Sequence, residues 1–328
     1  MAYDRAHVLT LDDFKKLNPS LVWGAIDEAY NAGTNPFRTA GVMTSSPAIA
    51  ATLNDGAGIR TEVEAWNDLQ YVESNVSNDD PTDHAVPLKM DTKLWGAVRN
   101  HRNVGVSGMN LVQDFAGMDP IAALSSRIAN YRNTDEVNLF FAVLDGITKS
   151  TDAETKKLIK TMDGSFDVAQ LLKAVQAAKG DNAGVVTAIG MSSANYLTLQ
   201  LANLITYRAG SEQVIRIPQI ADLDVIKDDR FGDRIVGMGA GLFHYSVAPQ
   251  SRKPVAVESD ESAGHGSGQD TVWFRWKQII HPMGFDFTGS FTSKGGPTFA
   301  DLNKAGAYTL ATDSKKVPLV ILKPKPTA

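Results

Sequence analysis

Residues 220–249 read IADLDVIKDDRFGDRIVGMGAGLFHYSVAP. Leu223 and Val225 alternate with polar neighbours, the period-two signature of a strand, and Asp228-Asp229-Arg230 follows at its end. Paired carboxylates invite a general acid/base reading. Adjacent strand residues point to opposite faces, however, so the two do not converge on one substrate. A turn whose side chains bond nearby backbone N–H groups is the better reading. The glycine-rich GMGAG, Gly237–Gly241, superficially suggests a phosphate-binding turn. That motif needs a strand before it and a helix N-terminus after it. Here it runs into LFHYSV, so a strand over Ile235–Val247 is expected, with small residues admitting close backbone approach.

The same alternation of element types continues outward. Upstream, Val168, Leu171, Leu172 and Val175 give an amphipathic helix ending near Gly180, Val185–Met191 a short apolar strand, and Ser192-Ser193 the cap of a helix carrying Tyr196, Leu199 and Leu204. Farther upstream, Asp119 suits an N-cap and Pro120 the first helical position. Ile121, Leu124, Ile128 and Tyr131, then Val137, Phe140, Leu144 and Ile147, mark one apolar face. They predict one long helix or two abutting ones within 119–148. Downstream, Val272–Ile280 is a further strand, set off from the first by the polar ESDESAGHGSGQD. A short helix near Thr298–Lys304 and the apolar VPLVIL close the chain.

Two regions look incomplete alone. Residues 1–62 hold short helices at best, at Leu11–Leu17 and Leu21–Tyr30, then a turn-rich run through Asn35-Pro36 and Ser45-Ser46-Pro47. Such a stretch buries too little to offset its ordering entropy and is expected to order only against a neighbour, in an assembled state. From Val63 to Gly108 a hairpin-like excursion is predicted around SNVSNDDPTDH. Its outer part is acidic, with Glu73, Asp79, Asp80 and Asp83; its return limb is basic, with Lys89, Lys93, Arg99 and Arg102.

Composition narrows the function classes. The 328 residues are 43% hydrophobic and 21% charged, ordinary for a folded protein, and long enough for two subdomains. There is no cysteine, which excludes disulfides, thiolate catalysis and cysteine-ligated zinc. The start, MAYDRAHVLTLDDF, lacks a signal-peptide pattern, and no apolar run approaches the roughly 20 residues that span a bilayer; no membrane partner is expected. A net charge of −5 argues against a phosphate-gripping protein; the one compact basic cluster, Lys315, Lys316, Lys323 and Lys325, reads as a solubilising frayed end. No two of His7, His84, His101, His244, His265 and His281 lie within five residues, so there is no helical zinc pair. No Gly-x-Ser-x-Gly elbow occurs either. No catalytic, cofactor-binding or metal-binding residue is assigned.

The segment quoted first resembles a stretch of tailed-bacteriophage major capsid proteins, in which a short strand ends in an Asp-Asp pair before a glycine-rich strand. DTVWFRWKQIIHPMGFDFTGS, 270–290, resembles their late strand and His-Pro-x-Gly-Phe turn, and GGPTFADLNKAGAY, 295–308, an element that follows it in one branch. QLLKAVQAAKGDNAGVVTAIGMSSANYLTLQ, 170–200, resembles their helix, strand and second helix. The resemblance implies the α+β Hong Kong-type phage capsid fold: an N-terminal arm (1–62), an extended β-hairpin loop (63–107), a peripheral domain with its spine helix (108–165 and 246–280) and an axial domain (166–245 and 281–328). It also implies a non-enzymatic head protein that self-assembles into pentamers and hexamers of an icosahedral shell. That shell encloses double-stranded DNA without sequence-specific binding, meets scaffold, portal and decoration proteins, is assembled in the host cytoplasm and ends in the virion capsid. Glu73, Asp79, Asp80, Asp83, Lys89 and Lys93 are the expected inter-subunit residues. Some members crosslink subunits through a lysine of the extended loop, but no motif marks Lys89 or Lys93 for that chemistry. An encapsulin-like nanocompartment shell, distinguished by packaged enzyme rather than DNA, and a soluble hydrolase, distinguished by monomeric elution and a tight apolar pocket, are the alternatives. Elemental analysis of the purified subunit is expected to return no stoichiometric zinc, manganese or iron.

Overall fold

The computed structural model describes residues 19–32, 35–55, 58–66, 71–90, 92–110, 124–162, 164, 167–209 and 216–325. In chain order the helices are α1 (Pro19–Ala32), α2 (Pro36–Thr39), α3 (Pro47–Asp55), α4 (Leu124–Thr148), α5 (Ala153–Lys156), α6 (Val168–Lys179), α7 (Ser193–Leu201) and α8 (Phe299–Leu302). The strands before α4 are β1 (Met43–Ser45), β2 (Arg60–Trp66), β3 (Thr92–Val98) and β4 (Asn100–Met109). After it come β5 (Ile159–Met162), β6 (Ala188–Met191), β7 (Thr206–Ala209), β8 (Arg216–Ile220), β9 (Leu223–Lys227), β10 (Ile235–Met238), β11 (Phe243–Pro249) and β12 (Val255–Asp260). The last four are β13 (Gln269–Pro282), β14 (Phe285–Phe287), β15 (Tyr308–Leu310) and β16 (Leu319–Pro324). The helix predicted at Leu11–Leu17 and the Asp119-Pro120 helix start lie outside the described residues.

Two sheets dominate. In the first, the 14-residue β13 is the trunk: β4 pairs with one side, β11 and then β12 with the other, and β1 joins β11 in parallel. The second runs β5-β16-β10-β6-β9-β8-β7, with both parallel and antiparallel pairs. Its inner strands are covered on both faces, and alternate residues serve opposite cores. Val320 and Leu322 pack with Leu171 and Val175 of α6, whereas Leu319 and Ile321 face the core built on α4. This explains the uninterrupted VPLVIL, and it corrects the frayed-end reading of the lysine tail, since β16 lies inside the sheet.

From Leu124 on, the two periodic runs belong to a single helix, and α4 is continuous over 25 residues. Its Phe140 packs 4.6 Å from Phe243 of β11, and the core cluster they share reaches the second sheet through Val236 and Met238 of β10 and Leu319 and Ile321 of β16. Beyond α4, the helix predicted to carry Leu204 ends at Leu201, and the residue lies past the cap.

Residues 1–62 were expected to lie on a neighbour; among the described ones, 35–55 pack on their own chain. Phe37 is fully buried and stacked 4.2 Å from Phe140, Ile49 and Leu53 pack under Ile279, and β1 extends the first sheet. Asn35 starts α2 as its N-cap by accepting the Phe37 N–H.

The single strand predicted over Ile235–Val247 is also corrected: β10 ends at Met238 and β11 begins at Phe243, in different sheets. Gly241 turns the chain at φ +68, open to glycine but strained for other residues.

Phe37→Ala is expected to destabilise the free subunit by about 3–5 kcal/mol, the usual cost of truncating a buried aromatic, measured by urea denaturation before any assembly.

Candidate assembly surface

The β2–β3 ladder runs in register from Arg60↔Val98 to Trp66↔Thr92, and its foot is fixed to the subunit from several sides. Val63 and Ala97 pack with Ile49, Leu53 and Ile279. The Gly96 N–H donates to Asp286 at 3.0 Å, and the Arg60 guanidinium lies over the Phe287 and Phe291 rings. Trp95 stacks on His281, ring centroids 6.2 Å apart. The expected extended loop was bounded at 63–107. The ladder closing it ends at Val98, and residues from Asn100 on pair with β13 instead.

Between the two strands, every residue from 71 to 90 is exposed and none is helix or strand. Tyr71 is 93% and Val76 87% exposed, and Val86, Leu88 and Met90 are exposed as well. Isolated apolar surface residues are common; this many on one excursion without a core points to a partner. The tip is nevertheless shaped. The Asp80 carboxylate accepts from the Thr82 N–H (2.9 Å) and hydroxyl (2.7 Å), Asn78 donates to Asp83 at 2.6 Å, and the Asp83 N–H donates to the Asp80 carbonyl. Those Thr82 donors hold the Asp80 carboxyl below its ordinary value.

Of the residues singled out from sequence, Glu73, Asp79, Asp80, Asp83 and Lys89 all lie on this excursion. Asp80 and Asp83 meet in the turn. Lys93 does not join them: it is half-buried and its ammonium donates to the Ala311 carbonyl. The rest of the basic limb is likewise engaged at the foot, Arg99 donating to Thr52 and Arg102 to Pro297 while lying over Phe299. Asp228 behaves as the turn reading requires, accepting from the Arg230 N–H, whereas Asp229 reaches across to accept from the distant Ser193 N–H at the start of α7.

Sequence reasoning passed over a second exposed apolar group, Leu197, Leu201, Leu204 and Tyr207, on and just after α7. The signal was present: Leu197 and Leu201 form a stripe four residues apart beside the buried Leu199. A helix apolar on more than one side needs more than one neighbour. Among the described residues no group of three His, Asp or Glu side chains is placed to hold a metal ion.

His281 supports the hairpin foot in one protonation state. Burial, and then the His244 imidazole across the ladder, depress its pKa to about 3. A depressed base contributes stability that is complete above its ordinary pKa of about 6.5 and lost as pH falls towards the folded value. Between pH 6.5 and 5 the subunit should lose about 1.6 kcal/mol through this group, the slope approaching about 1.4 kcal/mol per pH unit at the lower end. Urea titrations at both pH values check it, and a His281→Phe variant should show a correspondingly shallower dependence.

No protein-family model matches the chain. It is 29% identical to the major capsid protein of Bacillus phage SPP1 over 299 residues, which cover 88% of this chain and 90% of that protein. Its fold is similar to the capsid of Ralstonia phage GP4, at a TM-score of 0.51 and 10% identity over 74% of this chain and 82% of the other. The capsid asymmetric unit of cyanophage Pam1 aligns over 83% and 86% of the two chains, at a TM-score of 0.48 and 10% identity. The SPP1 likeness runs through nearly the whole of both proteins, and the GP4 likeness reproduces the mixed helix-and-sheet architecture. Over most of its length the chain is thus similar in sequence to a phage major capsid protein, and its fold is that of a phage capsid subunit.

Proposed function

We propose that this chain is the repeating subunit of a viral head, which assembles with copies of itself into hexamers and pentamers and closes an icosahedral shell around double-stranded DNA. The exposed excursion 71–90 carries the proposal: its apolar residues and shaped acidic turn have no core within the subunit, and their use lies in contacts with other copies. Rings and shells arise when unlike patches of identical subunits meet around a closed rotation. A folded foot with an unsatisfied tip is one half of such a contact.

In this reading the first sheet with α4 is the peripheral domain and the seven-stranded sheet with α6 and α7 is the axial domain. The β2–β3 hairpin with its excursion is the extended loop. The N-terminal arm lies within 1–62, of which 35–55 is already docked. The α7 stripe, exposed at one end of the axial sheet, supports a self-contact around the capsomer centre. The role is structural rather than catalytic, and DNA is confined rather than gripped, in keeping with the net charge of −5. Scaffold, portal and decoration proteins are the further partners, with assembly in the host cytoplasm.

Negative-stain microscopy of the purified protein tests the reading: closed shells are expected, and a uniformly monomeric preparation under all assembly conditions counts against it. Leu197→Lys with Leu201→Lys should leave the thermal midpoint of the free subunit nearly unchanged, since exposed substitutions usually cost under about 0.5 kcal/mol. Shell yield by light scattering should fall sharply, because every subunit repeats the fault. Early unfolding of the variant would place α7 in the core instead.

A further inference from the structure

The tail lysines, which sequence alone suggested as a frayed end, border one edge of the seven-stranded sheet, and other segments bring more lysines to it. Among the described residues β5 is the end strand, paired in parallel with β16 alone. Lys160 stands level with Leu322, so Lys325 follows three residues beyond it, about 10 Å at about 3.3 Å per residue. Lys156 and Lys157 end α5 just before β5. On the α4 side, the Lys323 ammonium donates to the Thr148 carbonyl, next to Lys149. On the α6 side, the buried Lys179 ammonium donates to the Ser314 carbonyl at 2.6 Å and to that of Val317, and the Lys315 ammonium lies beside Gly180.

The cations outnumber the acids among them. Glu154 is paired with Lys157 at 2.6 Å and Asp145 with Arg234. Asp152 accepts the Thr155 N–H at the start of α5, and Asp313 accepts the Lys315 N–H at 3.0 Å. Among the described residues no ion pair holds Lys156, Lys160 or Lys325. The surplus is felt inside the edge. Burial first, then Arg234 and Lys149, lower the Lys323 pKa. Burial lowers that of Lys179 to about 8, with Asp313 opposing and Lys160 adding to the fall.

The composition of the edge selects its partner. Protein interfaces are poor in lysine and rich in aromatic residues, methionine and arginine. None of the exposed large apolar side chains lies on α5, β5 or β16, so the edge offers no anchor for a protein and no ring on which an unpaired base could stack. Lysines on flexible stems suit a repeating anion whose positions need not match a fixed geometry. A DNA duplex is such an anion, with a charge every ~1.7 Å of its axis, so roughly six fall within the 10 Å between Lys160 and the level of Lys325.

We infer that this edge contacts the phosphates of duplex DNA, without reading sequence, through Lys156, Lys160, Lys315 and Lys325. The inference rests on the shell-subunit reading, within which it turns the α5–β5 edge towards the enclosed DNA. It agrees with the net charge of −5, because a few contacts that salt dissolves confine a duplex without gripping it.

Anisotropy of a short labelled duplex, titrated with free subunit between about 50 and 200 mM salt, tests the contact. Four lysines give an expected slope of log affinity on log salt of about −3.6, at about 0.9 per phosphate neutralised. Lys160→Gln with Lys325→Gln should flatten the slope by about 2 and weaken binding at least about tenfold at the lower salt. Arg252→Gln with Lys294→Gln removes the same charge from exposed sites elsewhere and should leave the slope unaltered. Matching thermal midpoints and unchanged shell yield show that the edge variant folds and assembles. An unaltered slope in the edge variant overturns the inference, as does an equal loss in the control. A polyglutamate peptide bound more tightly than the duplex through the same lysines assigns the edge to an acidic protein and also overturns it. Lost shell yield with duplex binding intact makes the edge a contact between copies, with the same result. The two readings fail separately: shells without lysine-dependent duplex binding refute the edge, whereas lysine-dependent binding by a protein that never forms shells refutes the subunit reading and leaves the DNA contact standing.

Discussion

Glu136 sits near the middle of α4 with its side chain 1% exposed, and every donor on it comes from the N-terminal segment. The Arg38 guanidinium reaches both carboxylate oxygens at 2.9 and 2.5 Å, Asn35 donates at 3.0 Å, and the Tyr30 hydroxyl completes the set. Burial pushes the carboxyl up to about 8, and these donors pull the other way. Removing one member of such a group leaves a buried polar atom unmatched, commonly a loss of about 1–3 kcal/mol. The arrangement therefore sets the register of α1 and α2 on α4. Rings reinforce it: Arg38 and Arg132 both lie 4.2 Å from the Tyr30 centroid, and Arg132 also covers Trp23. With the register set, Phe37 falls opposite Phe140, and the aromatic core has its first pair.

From that pair one continuous core reaches both sheets. Phe141 of α4 meets Phe231 from the loop between β9 and β10, Phe243 and Ile280 join from the first sheet, and Phe285, Phe287 and Tyr308 from β14 and β15. Close-packed interiors are not continuously deformable. A subunit whose two sheets share a core resists bending between them. The segments able to adapt to differing neighbours are those with no core of their own, chiefly 71–90. Rigidity in the body and adaptability in the excursion then follow from where the phenylalanines fall.

Much of this was legible in the sequence because periodicity reports burial. Leu171 and Val175, and Ile128, Val137, Phe140, Leu144 and Ile147, are buried as their spacing implied, although Leu172 and Tyr131 of the same runs are exposed, and Asp228 forms the turn that its chemistry implied. Other features were not legible. The segment 35–55 looked incomplete because its apolar residues are few, but Phe37, Ile49 and Leu53 fill sites prepared by α4 and β13, which local composition does not reveal. Nor does counting charges show that Lys93, Arg99 and Arg102 donate to the Ala311, Thr52 and Pro297 carbonyls, long-range contacts that no spacing rule encodes. The α7 stripe failed for another reason: assigning Leu199 to the core obscured a second apolar face beside it.

The glycine run that first suggested a phosphate loop shows the same logic from the opposite side. At Gly239 a Cβ would lie 1.9 Å from the Val185 carbonyl oxygen and 2.6 Å from the Pro318 side chain. The Gly239 N–H donates to Pro318 at 2.9 Å, and the Gly241 N–H donates to Gly41 at 2.8 Å. Three distant stretches thus meet the chain where it leaves the second sheet and enters the first. A side chain at Gly239 would force apart the very strands that carry the shared core, so smallness there follows from packing. The N–H groups that a phosphate loop would offer are spent on carbonyls, and the backbone that follows is extended rather than helical. What joins the sheets leaves no room for an anion, and the run is the seam across which one core serves both halves of the subunit.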